Sequence, residues 1–353
     1  MINIKSKSPV PVDEFIEKIL YEPKEGYYTT KDPFGKNGDF ITSPTISNLF
    51  SEIITIWFIT TWEKMGKPKR FNFIELGPGD GSLTKVLINT LKKFPEVNKA
   101  TKIYLYEKSH FLKKLQMKTI NSKKVKWISN FNLVKSGPVI FFGNEFFDAI
   151  PIKQFASKSN QFFEKCFTLE NKENISEVFI KGSNQDRDKV RSFKTLKKLK
   201  FIEYPKKGFL ELSKIIKIIS KLSGGILLID YGYLGSNNSN TIQAVMGNKK
   251  ISMENMFKNL GKADITSLVN FDLLKEFFVQ NNLKVKNVVN QKFFLERMGI
   301  IERAQILKEK MTTKQKEYLL ETLTRLLEEK QMGKLFKVIF GYNYKNNDFL
   351  GFE

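Results

Sequence analysis

The residues best suited to chemistry begin at Glu75-Leu76-Gly77-Pro78-Gly79-Asp80-Gly81, a glycine-rich turn between an apolar run and a helical stretch. Glycine lets a backbone come close to a ligand, and a helix that follows such a turn offers unsatisfied N–H groups. A dinucleotide fingerprint would read G-x-G-x-x-G with an acid about 20 residues further on. Here the third glycine comes one residue early, and the next acid at a strand end, Glu107, lies well beyond that spacing. A second constellation is Asn144-Glu145-Phe146-Phe147-Asp148-Ala149-Ile150-Pro151. Two carboxylates and an amide there could hold a cationic acceptor. Equally, Asn144 could cap a helix with acids in its first turn. A third, Gly38-Asp39-Phe40-Ile41-Thr42-Ser43-Pro44, is explained by a turn with capping hydroxyls before a helix.

Scarce residue types exclude whole reaction classes. Cys166 is the only cysteine, so neither an internal disulfide nor a cysteine zinc cage is possible. His110 is the only histidine, which removes multi-histidine metal sites, and no G-x-S-x-G elbow accompanies it. Its place at a helix start reads as solvent-facing. No metal is expected.

The elements that must position these groups follow from periodicity. Val12 to Tyr21 has helical spacing of its apolar residues, and Leu49 to Met65 forms a second, strongly apolar helix. From Phe71 the pattern alternates strand and helix. FNFIEL runs into the glycine turn, LTKVLINTLKKF is helical, KIYLYE is a second strand, and a helix runs from Ser109 through Met117. VKWISN is a third strand, while PVIFFG and GILLIDY are continuous apolar runs that read as a fourth and a fifth, buried on both faces. This alternation predicts an α/β doubly wound parallel sheet of Rossmann-like kind. In such a sheet the carboxyl ends of the strands carry the ligand, which is where the glycine turn, Glu107 and Asn144 fall.

Five segments are expected. Residues 1–70 form an N-terminal helical cover with a closing loop, and residues 71–151 the first half of the core. Residues 152–210 form an inserted α+β annex, in which QFFEKCFTL and SEVFI are antiparallel strands and Gly182 to Arg191 is a surface loop. Residues 211–302 complete the core, with a helix over Phe271 to Gln280 and a terminal hairpin in VKNVVNQKFFLERMG. Residues 303–353 supply an amphipathic helical region, with Leu307, Met311, Leu319, Leu320, Leu323, Leu326 and Leu327 on its apolar face, and a tail.

The chain has 353 residues and a formal net charge of +22, with 41% hydrophobic residues, so it is not a disordered polycation. Arginine occurs only at positions 70, 187, 191, 297, 303 and 325, and the remaining 53 basic residues are lysine. A surface that reads phosphates would retain arginine for its bidentate fork. Together with abundant Asn, Ile and Phe, this usage points to drift toward A+T-rich codons, and nucleic acid is not an expected partner. No run approaches the roughly 20 apolar residues of a membrane span. The start lacks the apolar stretch of a signal peptide, so a cytoplasmic protein is expected.

The glycine turn, with Glu75 two residues before its first glycine, resembles the first motif of class I S-adenosyl-L-methionine methyltransferases. Further motifs occur in order: GYY, GDFITSP, IxxWF, ELGPGxGSL, YxxEKSxxLxxxQ, NEFFDAIPIxQF, LLIDYGY, DITSLVNF, FLERMGIIERA and MGKLFKVI. Together they resemble the mitochondrial dysfunction protein A (MidA) family over nearly the whole chain, from Pro11 to Ile339. That resemblance implies a class I S-adenosyl-L-methionine-binding fold with an N-terminal cover and an inserted annex. It implies that Glu75, Gly77, Gly79 and Gly81 form the cofactor loop and that Glu107 binds the ribose. Gly38, Asp39, Phe40, Thr42, Ser43 and Pro44 would close over the cofactor, with Asn144, Glu145 and Asp148 lining the acceptor side. Two positions depart from the family. The loop residue usually basic is Asp80, and a segment commonly basic reads Gln243-Ala244-Val245-Met246-Gly247-Asn248-Lys249.

The activity so implied is methylation of arginine in a protein substrate, with a complex I subunit as the target and respiratory complex I assembly as the setting. Methylation of a small molecule or another amine, RNA methylation, and a non-catalytic cofactor-binding assembly chaperone are the rival readings. A homodimer is left open.

Overall fold

Continuous apolar runs can be buried only in the middle of a sheet, and the fourth and fifth such runs sit there. A computed structural model describes residues 9–30, 43–46, 48–158, 161–169, 175–247 and 249–353. Its main sheet runs in the order Lys284–Val285, Phe336–Asn343, Gly224–Tyr233, Val139–Asn144, Phe71–Leu76, Thr101–Tyr106, Val125–Ile128. The last five of these are parallel, with Phe73 opposite Ile140 on one side and Ile103 on the other. The chain leaves Phe71–Leu76 in one direction for the second and third strands and returns on its other side for the fourth. The strand order therefore reverses between Phe71–Leu76 and Val139–Asn144, the position at which doubly wound sheets bind ligands.

The chain divides into two compact units. One holds the described residues of 41–146, 214–232 and 281–353, and contains the main sheet. Asn48–Lys64 packs there, with the Phe58 ring stacked 4.7 Å from Phe71 and Trp57 edge-on to Phe340. The other unit holds the described residues before 41 together with 147–213 and 233–280. Its sheet joins Gln161–Leu169 to Lys153–Lys158, to Ile175–Lys181 and to the short Val10–Pro11, while Phe201–Tyr204 pairs with Lys153–Lys158. A second sheet combines Gln243–Met246, Lys249–Ile251 and Asp264–Thr266. The Val12–Tyr21 helix buries Phe15, Ile16 and Ile19 against Phe167, Ala244 and Ile265 of this unit.

This grouping differs from the five segments expected. The stretch read as one N-terminal cover splits between the units, because Val12–Tyr21 presents its apolar face to the annex while Asn48–Lys64 presents its own to the main sheet. Residues 233–280 join the annex rather than the core.

Three local expectations are corrected. Residues Asn184–Arg191 are helical, not a loop. Ser183 caps them by accepting from the Asp186 N–H at 3.0 Å, and Asp186 is drawn inward by Lys206 at 2.7 Å. The expected terminal hairpin does not form. Lys284–Val285 and Val289–Asn290 each pair with Phe336–Asn343, and Gln291–Arg297 turns helical under the cap of Asn290. Finally, residues 303–353 do not end in a tail. Two helices, Ile300–Lys308 and Thr313–Leu327, are separated by a capping box at Thr312 and Gln315. Leu320 faces out, and Phe336–Asn343 enters the sheet beside the fifth strand with Val338, Ile339 and Phe340 fully buried.

Candidate active site

The glycine turn directly follows the strand at the reversal point. Gly77, Gly79 and Gly81 have φ of 59°, 57° and 88°, a left-handed region that side chains rarely adopt. Gly77 and Gly81 sit in different surroundings. Gly77 is exposed, and a Cβ there would come within 3.1 Å of the Phe146 ring. Gly81 is buried, and a Cβ there would lie 3.0 Å from Ile120 Cδ1 and 3.4 Å from Gln116 Cα. It allows the Ser82–Leu91 and His110–Ile120 helices to approach. Because Gly81 offers no side-chain cap, Asp80 supplies one: its Oδ1 accepts from the Ser82 N–H at 2.9 Å and its Oδ2 from the Ser82 hydroxyl at 2.6 Å.

Glu75 is 4% exposed at the end of its strand and accepts from the Thr84 hydroxyl. Burial pushes its carboxyl up to about 8, with the Thr84 bond opposing and the nearby Asp80 charge adding to the rise. Glu107 directly follows the strand Thr101–Tyr106. Its Oε1 accepts from the Ser109 N–H at 2.8 Å and its Oε2 from Gln116 Nε2 at 3.1 Å. Burial raises its carboxyl as well, against those hydrogen bonds and the charge of Lys113. Glu75 and Glu107 thus stand beside the glycine turn, each held by named donors.

The structure removes one of the two readings of Asn144. Residues 145–152 contain no helix, so Asn144 is not an N-cap. It is the last residue of its strand, and Glu145 follows at φ 50°, left-handed without being glycine. Such backbone costs on the order of 1–3 kcal/mol and concentrates at functional sites. It is held by the Glu145 N–H donating to Ile229 O at 2.9 Å. The Glu145 Oε1 accepts from Asn144 Nδ2 at 3.1 Å and from the Ser43 N–H at 3.4 Å. Among the described residues, Asn144 Oδ1 is shielded from solvent and accepts no hydrogen bond. A buried acceptor left in this way invites a donor.

Ser43 opens a helical turn, with Pro44 next, and its hydroxyl lies 3.9 Å from Met332 Sδ. Gly38, Asp39, Phe40 and Thr42 lie outside the described residues. Asp148 belongs to the other unit, where it is buried near Tyr28. The Tyr28 hydroxyl donates to Asp264 Oδ2 at 2.9 Å, and its ring stacks 5.5 Å from Tyr21. Burial, and then the charge of Asp264, raise the Tyr28 hydroxyl well above its ordinary range, with Tyr21 and Asp148 adding to the effect.

Sequence reasoning singled out neither Thr84 and Gln116, beside the glycine turn, nor Tyr28 and Asp264, which belong to the other unit. Three of them carried a signal. Gln116 closes the YxxEKSxxLxxxQ motif, Tyr28 ends GYY, and Asp264 opens DITSLVNF. Thr84 had none beyond its place one turn into the helix after the glycines.

Residues 53–289 match a family described as "Putative S-adenosyl-L-methionine-dependent methyltransferase". Among curated proteins, the Xenopus laevis "Protein arginine methyltransferase NDUFAF7, mitochondrial" is 28% identical over 363 residues, covering 96% of this chain and 82% of the relative. The human protein of the same name is 28% identical over 374 residues, covering 95% and 80%. A crystal structure from Burkholderia thailandensis, bound to S-adenosyl-homocysteine, shares the fold with a TM-score of 0.79 at 18% identity, covering 98% of this chain and 89% of that one. No helix among the described residues is long and apolar enough to cross a membrane.

Proposed function

Because the chain belongs to this family of S-adenosyl-L-methionine-dependent methyltransferases, we propose that it methylates arginine in a protein, with a subunit of respiratory complex I as the target. The observation that carries the acceptor reading is the strand end at Asn144. Glu145, on a left-handed backbone, sets its carboxylate beside a buried Asn144 Oδ1 that accepts nothing among the described residues.

The residues present suit the cofactor. An exposed, left-handed Gly77 leaves a backbone cradle that a Cβ would fill, at the reversal point of the sheet. Gly77, Gly79 and Gly81 would hold its amino-acid end above Glu75, and Glu107 its ribose hydroxyls. Ser43 and Pro44 would stand on the closing side. When bound, S-adenosyl-L-methionine supplies a methyl group activated on sulfonium.

The protein's own part is to bind, orient and exclude water. A guanidinium arrives charged, and burying it unpaired costs several kcal/mol. The Glu145 carboxylate offsets that charge and accepts its N–H groups in a fork. Asn144 Oδ1 accepts a further N–H and fixes the plane, which turns one nitrogen toward the methyl. Asp148 is proposed as another acceptor carboxylate, to be tested by its own substitution. No histidine base is required, because the proton can leave after transfer. The relatives carry the word mitochondrial in their names, and the cytoplasmic placement expected from sequence belongs to this proposal.

Mass spectrometry of complex I subunits from cells with and without the gene tests the target. A methylated arginine present with the gene and absent without it is expected. Identical subunit masses would remove complex I from the proposal.

A further inference from the structure

Gln116 is fully buried in the helix His110–Ile120, two turns past its N-cap. Its Nε2 donates to Gly79 O at 2.9 Å and to Glu107 Oε2 at 3.1 Å. Its Oε1 accepts from Trp127 Nε1 at 2.9 Å. An indole nitrogen can only donate, so Trp127 fixes which way the amide points. With the oxygen committed to Trp127, the two amide hydrogens must go to Gly79 and Glu107. One side chain therefore spans the glycine turn, the acid following the second strand, and the third strand.

The same helix holds Glu107 from both sides. The Ser109 N–H takes Oε1 at 2.8 Å, while the Ser109 hydroxyl caps the helix by accepting from the Leu112 N–H at 3.2 Å. Gln116 takes the other oxygen. The Lys108 backbone also donates to this carboxylate. A carboxylate held on both oxygens is fixed in rotamer and plane, and two oxygens with about four lone-pair sites still leave an acceptor position open. The bond to Gly79 adds a constraint on the loop at a residue that lacks a Cβ and has the widest choice of conformation, here left-handed at φ 57°.

We infer that Gln116 is a positioning residue for the cofactor: it holds Glu107 and the Gly79 carbonyl in the arrangement that takes the ribose hydroxyls. The inference rests on the reading that Glu107 binds those hydroxyls. Gln116 itself touches no reacting atom; it acts through Glu107 and the loop.

The test compares two probes by calorimetry, S-adenosylhomocysteine and its 2′,3′-dideoxyribose counterpart, on wild type, Glu107→Ala and Gln116→Leu. The quantity read is the preference for the ribose probe over the dideoxy probe. A residue that serves only packing weakens both probes alike and leaves that preference unchanged. Gln116→Leu is expected to weaken the ribose probe about tenfold to a hundredfold, the worth of a hydrogen bond to a charged group, and to reduce the preference toward that of Glu107→Ala. The double variant should lose less than the product of the two single losses. If Glu107→Ala abolishes the preference and Gln116→Leu leaves it intact, the Gln116 inference is overturned while the ribose reading stands. If Glu107→Ala itself leaves the preference at its wild-type value, the ribose reading fails and the inference falls with it. Should Gln116→Leu not fold, Gln116→Met keeps the length of the side chain while removing both donors and adding no charge beside Glu107, and the same ratio decides.

Discussion

Glu75 has a measurable consequence in the unliganded protein. Its carboxyl is raised in the folded state from 4.5 to about 8, chiefly by burial. Between those values the unfolded chain gives up its proton while the folded chain keeps it, so stability falls as pH rises. The loss begins above the unfolded value and is complete above the folded one. Glu75→Gln keeps the shape and an acceptor for Thr84 but cannot ionise. The variant should therefore gain on wild type by about 1.4 kcal/mol for each pH step across that window. Urea unfolding from pH 5 to pH 8.5 reads the difference, and a constant offset would mean that Glu75 ionises normally when buried. Little of this was visible in the sequence. The acid's place before the first glycine was plain, but its partner Thr84 and its burial depend on how helix and strand pack. Glu145 was similar: sequence put a carboxylate after the fourth strand, but could not tell a first helical turn from a left-handed strand end.

Helices and strands were legible where periodicity or continuous apolarity was strong. Val12–Tyr21 and Phe71–Leu76 lie where the pattern put them, as does Phe271–Gln280. The failures share a cause, which is that tertiary partners overrode weak local signals. Asn184–Arg191 has almost no apolar residues, and it is held by a cap at Ser183 and by a buried ion cluster. In that cluster Lys153 pairs with Glu164, with Asp13 at 3.5 Å and with Asp186 at 4.0 Å, joining strands to two helices. Removing a buried cation strands its acids. Lys153→Ala should thus cost about 3–5 kcal/mol, while Lys153→Arg should cost less; chemical denaturation compares them. A backbone prediction belongs to the fifth strand. Gly224 has φ of 129°, and a Cβ there would fall 1.8 Å from Val139 O, inside the ladder that joins the fourth and fifth strands. Gly224→Ala should abolish soluble expression, because neither strand can shift without losing that ladder. A soluble variant with wild-type melting would show that the register tolerates a side chain.

Each of the two units is built from stretches far apart in sequence, which is why segment-by-segment reading misplaced residues 1–40 and 233–280. Family motifs were better guides than segment boundaries. GYY, Asp148 and DITS, scattered along the chain, meet around Tyr28. The charge of +22 looks like a nucleic-acid signal, yet it is carried almost wholly by lysine. The Glu145 carboxylate at the Asn144 strand end would repel a phosphate rather than bind one. The decisive measurement is transfer of tritiated methyl from S-adenosyl-L-methionine into complex I protein from cells lacking the gene, followed by hydrolysis and separation of methylated amino acids. Wild type should place label on methylarginine. Glu145→Gln should lower that label by orders of magnitude while still binding S-adenosylhomocysteine and melting as wild type does. Label on another amino acid, or full turnover by Glu145→Gln, would contradict an arginine acceptor held at Glu145.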